Sequence, residues 1–274
     1  MNETGRSTTT ARLATGEIRR PPTTRDKFYR GRFEVLQPDG TGHRAGSDAL
    51  LMAAGLPEGA AGRLADLGAG AGVAALAALA ANPGLQAVLV EVDPVMAELA
   101  RATLELGANA RLAERASVLE ADVTLSGERR QDAGLANASF DYVLMNPPYN
   151  FAPQRPSPDE LRSLAHMMGE GGLDPWLRTA AAILRPGGLL IMIWRAERLG
   201  DVLACAQGRF GGICVLPLHA RHGAAARRIL VRAVRGSRAP LAIGQGIVLH
   251  EADGRQTALA DELLNGRARL AFAA

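Results

Sequence analysis

The stretch Arg63-Leu64-Ala65-Asp66-Leu67-Gly68-Ala69-Gly70-Ala71-Gly72, running straight into residues 73–81, decides the fold. Residues 63–67 form a short apolar run that reads as a buried strand, and residues 73–81 carry no Gly, Pro or charge to interrupt a helix. A glycine-rich turn between the two lets backbone approach a ligand and brings it to the helix N-terminus. The spacing excludes a dinucleotide fingerprint, which places its third small residue at position 73; here that residue is Val73, and the third glycine comes one place early. The sequence has no Gly-x-x-x-x-Gly-Lys-Ser/Thr phosphate loop, so a nucleoside-triphosphate reading has no support.

Three further apolar runs end on polar residues. Residues 87–92 carry Glu91 at the carboxyl end, about twenty residues beyond the glycines, where an acid commonly meets ribose hydroxyls. Residues 117–121 run into Asp122, and residues 140–145 run into Asn146-Pro147-Pro148-Tyr149. Asp66, Glu91, Asp122 and Asn146 therefore fall at the carboxyl ends of successive strands, the edge at which open α/β sheets bind ligands.

The Asn146–Tyr149 segment suits methyl transfer to a planar nitrogen. An exocyclic amine delocalises its lone pair into the ring and is a poor nucleophile. The Asn146 side-chain oxygen and the Pro147 carbonyl are both acceptors and can take the two amine hydrogens, turning the lone pair toward an incoming methyl. Each proline fixes its own φ and restricts the residue before it, so both acceptors can be held toward one point. Tyr149 supplies a flat face on which a base can stack, worth about 1–3 kcal/mol. No metal is needed for such a displacement, and the five histidines are scattered.

With these motifs the chain resembles the S-adenosylmethionine-dependent methyltransferases of the Rossmann-like class over residues 40–274. Within that class it is most similar to the bacterial valine-tRNA adenine N6-methyltransferase family. Residues 44–51, the Asn146–Tyr149 loop and residues 226–231 carry the finer match. The resemblance implies an α/β fold: a seven-stranded methyltransferase sheet, mostly parallel, with an antiparallel terminal strand. It implies S-adenosyl-L-methionine as cofactor, bound by Asp66, Gly68, Gly70, Glu91 at the ribose and Asp122 at the adenine. Asn146, Pro147, Pro148 and Tyr149 are then catalytic, and the partner is RNA, with tRNA leading. Related loops methylate the glutamine amide of release factors or guanine N2 of ribosomal RNA, and both remain open alternatives. Residues 1–60 lack the substantial helical domain expected of the former group. A non-catalytic RNA-binding module fits least, because the acids and the loop are all present.

At 274 residues, 47% hydrophobic and 22% charged, the chain can bury a full α/β core. Residues 1–25 contain scattered Thr, Pro and Arg with no apolar signal region and are expected to form a disordered tail, leaving residues 26–274 as one domain. Five arginines against two glutamates give that tail +3, equal to the whole chain's net charge of +3. Any basic patch on the remainder must therefore be local. Residues 205–238 provide one, with Arg209, Arg221, Arg227, Arg228, Arg232, Arg235 and Arg238 and no acid. This run suits an RNA-facing surface, although Lys27 is the only lysine and arginine is used throughout. Cys205 and Cys214 without a Cys-x-x-Cys pattern suggest a reducing, cytoplasmic setting.

The remaining patterns complete the expected sheet. Asp174-Pro175 reads as an N-cap and first-turn proline for a helix ended by Arg185-Pro186-Gly187-Gly188, followed by a strand over 189–194. Residues 197–207 suggest a helix, 213–218 and 228–234 a closing strand pair, and 241–249 with 259–264 a small appendage. Prolines and glycines between 150 and 172 suggest a mobile loop at the substrate entrance.

Overall fold

The computed structural model describes residues 22–39, 46–148 and 172–272. Tyr149, the entrance loop over 150–171, Arg44, Ala45 and the tail through residue 21 lie outside the described residues.

Parallel strands and covering helices alternate from the glycine turn onward. In chain order the elements are β1 (Thr23–Phe28), β2 (Phe33–Pro38), α1 (Ser47–Ala54), β3 (Gly62–Leu67), α2 (Val73–Ala81), β4 (Leu85–Glu91), α3 (Pro94–Leu104), α4 (Ala110–Ala113), β5 (Ala116–Glu120), α5 (Gly127–Asp132) and β6 (Phe140–Met145). Then come α6 (Leu173–Ile183), β7 (Leu184–Arg195), α7 (Leu199–Ala206), β8 (Phe210–Arg221), β9 (Arg228–Arg235), β10 (Ala242–Ile243), β11 (Ile247–His250) and α8 (Ala258–Leu264). The main sheet runs β5-β4-β3-β6-β7-β9-β8, with β10 and β11 both pairing with the outer edge of β8. All seven central strands are parallel except β9, which lies antiparallel between β7 and β8. The last of the seven in sequence is thus the antiparallel one, but it sits inside the sheet.

The core is layered by the two-residue period of the strands. Leu64, Leu144 and Ile191 face α1 and α2, while their neighbours Ala65, Val143 and Leu190 face α6 and α7. Both faces are covered, which is why these strands read as continuous apolar runs. Among the described residues no helix is long and apolar enough to cross a membrane.

Four features depart from the expectations. Thr23–Phe28 is a strand, so regular structure begins before the expected tail boundary at residue 25. Gly172, not Asp174, is the N-cap of α6; Asp174 stands in the first turn and binds Arg209 at 2.6 Å and Arg178 at 3.8 Å. Two guanidiniums have claimed the carboxylate that would have capped the helix. The Arg185–Gly188 segment lies inside β7, which already pairs at Leu184, and the register shifts between Phe140 and Tyr142 to absorb it. Residues 242–250 form β10 and β11, which pair parallel with β8 and so extend the main sheet.

The β1–β2 hairpin packs Phe33 and Val35 into the core of the sheet domain and is tied to it by the Asn109 side chain. Asn109 is fully buried; its amide donates to the carbonyls of Glu34 at 2.6 Å and Thr103 at 2.7 Å, and its oxygen accepts from Glu34 N–H at 3.0 Å. Replacing Asn109 by Ala leaves these buried groups unpaired, at a cost of about 1–3 kcal/mol. Urea unfolding of Asn109→Ala should show a midpoint lowered accordingly. An unchanged midpoint would mean that the network contributes nothing net.

Candidate active site

The carboxyl ends of the central strands finish level. In register, Leu67 of β3 lies opposite Val90 of β4 on one side and Met145 of β6 on the other. The residues that follow, Gly68 and Asn146, therefore emerge side by side, about 4.8 Å apart in strand spacing. Chain order reverses here, since β4 and β5 continue to one side and β6 and β7 to the other. That is the topological switch point at which open α/β sheets take ligands.

The glycine turn is tight for identifiable reasons. Gly68 has φ +72°, and a β-carbon there would come within 2.9 Å of the Trp176 ring. Gly72, with φ +94°, is the N-cap of α2, and a β-carbon would meet Leu89 at 2.6 Å. Both positions exclude side chains on conformation and on space.

Two buried carboxylates brace this turn. Asp66 is 2% exposed, and its Oδ2 accepts from Ala75 N–H, in the first turn of α2, at 3.0 Å. Glu91 is 8% exposed; its Oε1 accepts from Val92 and Asp93 N–H, each at 2.9 Å, and its Oε2 from Gly70 N–H at 2.8 Å. Burial pushes the Asp66 carboxyl up to about 7, against the Ala75 hydrogen bond and helped by the neighbouring Glu91 charge. Burial also raises Glu91, against the three backbone hydrogen bonds. Glu91 retains acceptor capacity, because a carboxylate offers about four lone-pair positions and three are used.

Asp122 lies two residues past the end of β5. Its Oδ1 accepts both Thr124 N–H and Thr124 Oγ1–H, each at 2.7 Å, forming a compact local turn. At the end of β6, Asn146 is half-buried and Pro147 buried, with Pro148 half-buried beside it. The structure thus gathers Gly68, Gly70, Glu91, Asp122, Asn146, Pro147 and Pro148 along one edge, with Asp66 beneath the turn.

Sequence reading missed the first two turns of α6. Trp176 covers Gly68, Arg178 donates to the Thr124 carbonyl at 3.1 Å, and Thr179 Oγ1 donates to the Val123 carbonyl at 2.7 Å. One helix therefore touches both the glycine turn and the Asp122 loop. The only advance signal was the grouping of Trp176, Arg178 and Thr179 within four residues, which does not reveal partners more than fifty residues away.

The raised Asp66 carboxyl gives a pH dependence of known sign. Between its ordinary value of 3.8 and about 7 the unfolded chain ionises this group while the folded protein keeps it protonated. Its contribution to stability is full below that window, falls as pH rises through it and is lost above about 7. Asp66→Asn keeps an acceptor for Ala75 but cannot ionise. Thermal unfolding should therefore show the variant gaining on the wild type between pH 5 and pH 8. A difference that does not change with pH would refute the assignment.

The model of the methyltransferase small domain family matches residues 43–203. A tRNA1(Val) (adenine(37)-N6)-methyltransferase of Porphyromonas gingivalis is 30% identical over 181 residues, covering 65% of this chain and 68% of that protein. One of the same name from Yersinia pestis is 27% identical over 241 residues, covering 87% and 92%. Among solved structures, the Agrobacterium tumefaciens protein Atu636, described as a predicted O-methyltransferase, superposes with a TM-score of 0.71 at 39% identity, covering 81% of this chain and 98% of that one. The Thermus thermophilus 16S rRNA N2 G1207 methyltransferase shares the fold at a TM-score of 0.52 and 23% identity, covering 78% of this chain and 50% of that one. The chain belongs to the methyltransferase small domain family and is an S-adenosylmethionine-dependent methyltransferase.

Proposed function

We propose that this enzyme methylates an exocyclic amine of RNA, with adenine N6 of a tRNA as acceptor. The observation that supports the reading is the level ending of β3 and β6, with Leu67 opposite Met145, from which the glycine turn at Gly68 and the Asn146 segment leave at one switch point. The names of the relatives from Porphyromonas gingivalis and Yersinia pestis support tRNA and adenine N6.

The residues fit S-adenosylmethionine, which when bound supplies an electrophilic methyl group on sulfonium sulfur. Gly70, where a β-carbon would meet only Met96 at 3.7 Å, would admit it close to backbone, and Gly68 would hold the turn under Trp176. Glu91 offers its remaining lone pair to a ribose hydroxyl, and Asp122 offers Oδ2 to the adenine amine. Asp66 acts from below by holding the first turn of α2. Asn146 and the Pro147 carbonyl take the two hydrogens of the acceptor amine and aim its lone pair. This arrangement favours nitrogen over oxygen: two acceptors match the two hydrogens of an amine, whereas a hydroxyl has one and would need a base. Alignment of the reacting atoms supplies most of the acceleration, and the amine proton leaves after attack.

Asn146→Ala should lower turnover about 100-fold or more, the scale expected when a reacting group loses its alignment, while calorimetry finds cofactor affinity little changed. Wild-type rates in this variant would remove Asn146 from the mechanism. With labelled cofactor and unmodified tRNA, ribosomal RNA or release factor, digestion should yield N6-methyladenosine in tRNA. N2-methylguanosine in ribosomal RNA would replace the acceptor base, and label confined to release factor would refute an RNA substrate.

Thr179 provides a separate test of the cofactor side. Thr179→Val strips the Val123 carbonyl of its partner and should raise KM for S-adenosylmethionine several-fold with a smaller change in kcat. Thr179→Ser should restore it. Equal KM values in all three proteins would show that the Asp122 loop needs no support from α6.

A further inference from the structure

The arginine-rich segment over 205–238 does not form one surface. Arg228 pairs with Asp48, and Arg235 donates to the Leu184 carbonyl. Arg209 binds Asp174 and the Cys205 carbonyl, each at 2.6 Å, and the Arg232 guanidinium lies over the Phe272 ring at 4.4 Å. These four hold the fold together. Arg221, Arg227 and Arg238 are exposed and make no ion pair among the described residues.

Topology divides the three. Because β9 runs antiparallel to β7, its first residue, Arg228, lies opposite Arg195 at the carboxyl end of β7. The turn over 222–227 that joins β8 to β9 therefore projects from the same edge as Asn146. Arg238 follows the other end of β9, whose Arg235 reaches Leu184 at the start of β7, and belongs to the opposite edge. Acids are present near the turn, but Asp48, Glu197, Asp201 and Asp253 are each bound to an arginine; Glu251, just past β11, has no such partner among the described residues. Arg227 and Arg221 stand two and three strand spacings across the sheet from Asn146 and about three and five residues farther along it, which puts them roughly 14–22 Å away, the length of about four to six stacked nucleotides.

We propose that the β8–β9 turn, through Arg221 and Arg227 with His222 between them, grips the phosphate backbone of the RNA a few nucleotides from the methylated base. Two exposed guanidiniums, with no ion pair among the described residues and on the same sheet edge as Asn146, suit phosphate oxygens, which arginine binds bidentately. The turn positions the substrate and does not read its sequence. This inference rests on the RNA reading above.

The test compares Arg221→Glu/Arg227→Glu with Arg238→Glu and the wild type, using unmodified total tRNA. The double reversal should weaken tRNA binding at least tenfold and lower kcat/KM for tRNA in proportion. It should also flatten the salt dependence of binding by about 1.4–1.8 in log–log slope, two phosphate contacts' worth. Affinity for S-adenosylmethionine and the Arg238→Glu protein should stay at wild-type values. Wild-type protein that binds and methylates tRNA, together with a double reversal within twofold of it, would overturn this inference alone. Equal damage from Arg238→Glu would overturn it too, by showing a response to net charge. Wild-type protein that neither binds nor methylates RNA would overturn the RNA reading and this inference together.

Discussion

The site depends on closing a glycine turn over two buried acids, Asp66 and Glu91. A buried carboxyl group is costly unless it is hydrogen-bonded, and here the partners are backbone amides of the turn, of the first turn of α2 and of the residues after β4. Glu91 collects Gly70, Val92 and Asp93, while Asp66 collects Ala75. The acids are therefore satisfied only when the ends of β3 and β4 and the start of α2 hold one geometry. That mutual requirement fixes the backbone before any ligand arrives, so less ordering remains to be done on binding.

Helix α6 carries the same constraint across the sheet. Trp176 fills the space that the missing Gly68 side chain leaves, and Thr179 and Arg178 anchor the loop after β5. The helix lies between β6 and β7 in sequence yet touches the turns after β3 and β5. A rigid helix packed on one face of the sheet can span strands that are not consecutive, which a loop of the same length could not do without unpaired backbone.

Arginine does two kinds of work in this chain. With a planar fork of five donors it suits buried or half-buried carbonyls and carboxylates better than lysine does, and Arg228 and Arg235 are used in that way, while the flat Arg232 guanidinium lies over the Phe272 ring. Arg32 and Arg269 do the same at the far side, reaching the Ala80 and Ala81 carbonyls that α2 leaves unpaired at its end. A count of arginines therefore overstates the surface free for an anionic partner.

The chain alone determined the elements whose signals are local. Residues 63–81 specify strand, glycine turn and helix because apolar run, positive-φ glycines and alanine-rich helix follow one another without a gap, and α2 spans residues 73–81 as expected. The polar residues closing each apolar run were legible for the same reason, as was the proline-stiffened loop at Asn146. Tertiary structure decided what depends on distant partners. Asp174 met Arg209 and ceased to cap its helix; Arg228 met Asp48, 180 residues away in the chain. Residues 242–250 found the open edge of β8. Trp176 and Thr179 acquired their positions beside the site only when packing on the sheet laid α6 against the turns after β3 and β5. Periodicity and composition record what a residue prefers among its neighbours in sequence, whereas hydrogen-bond partners and sheet edges are set by packing across the whole chain.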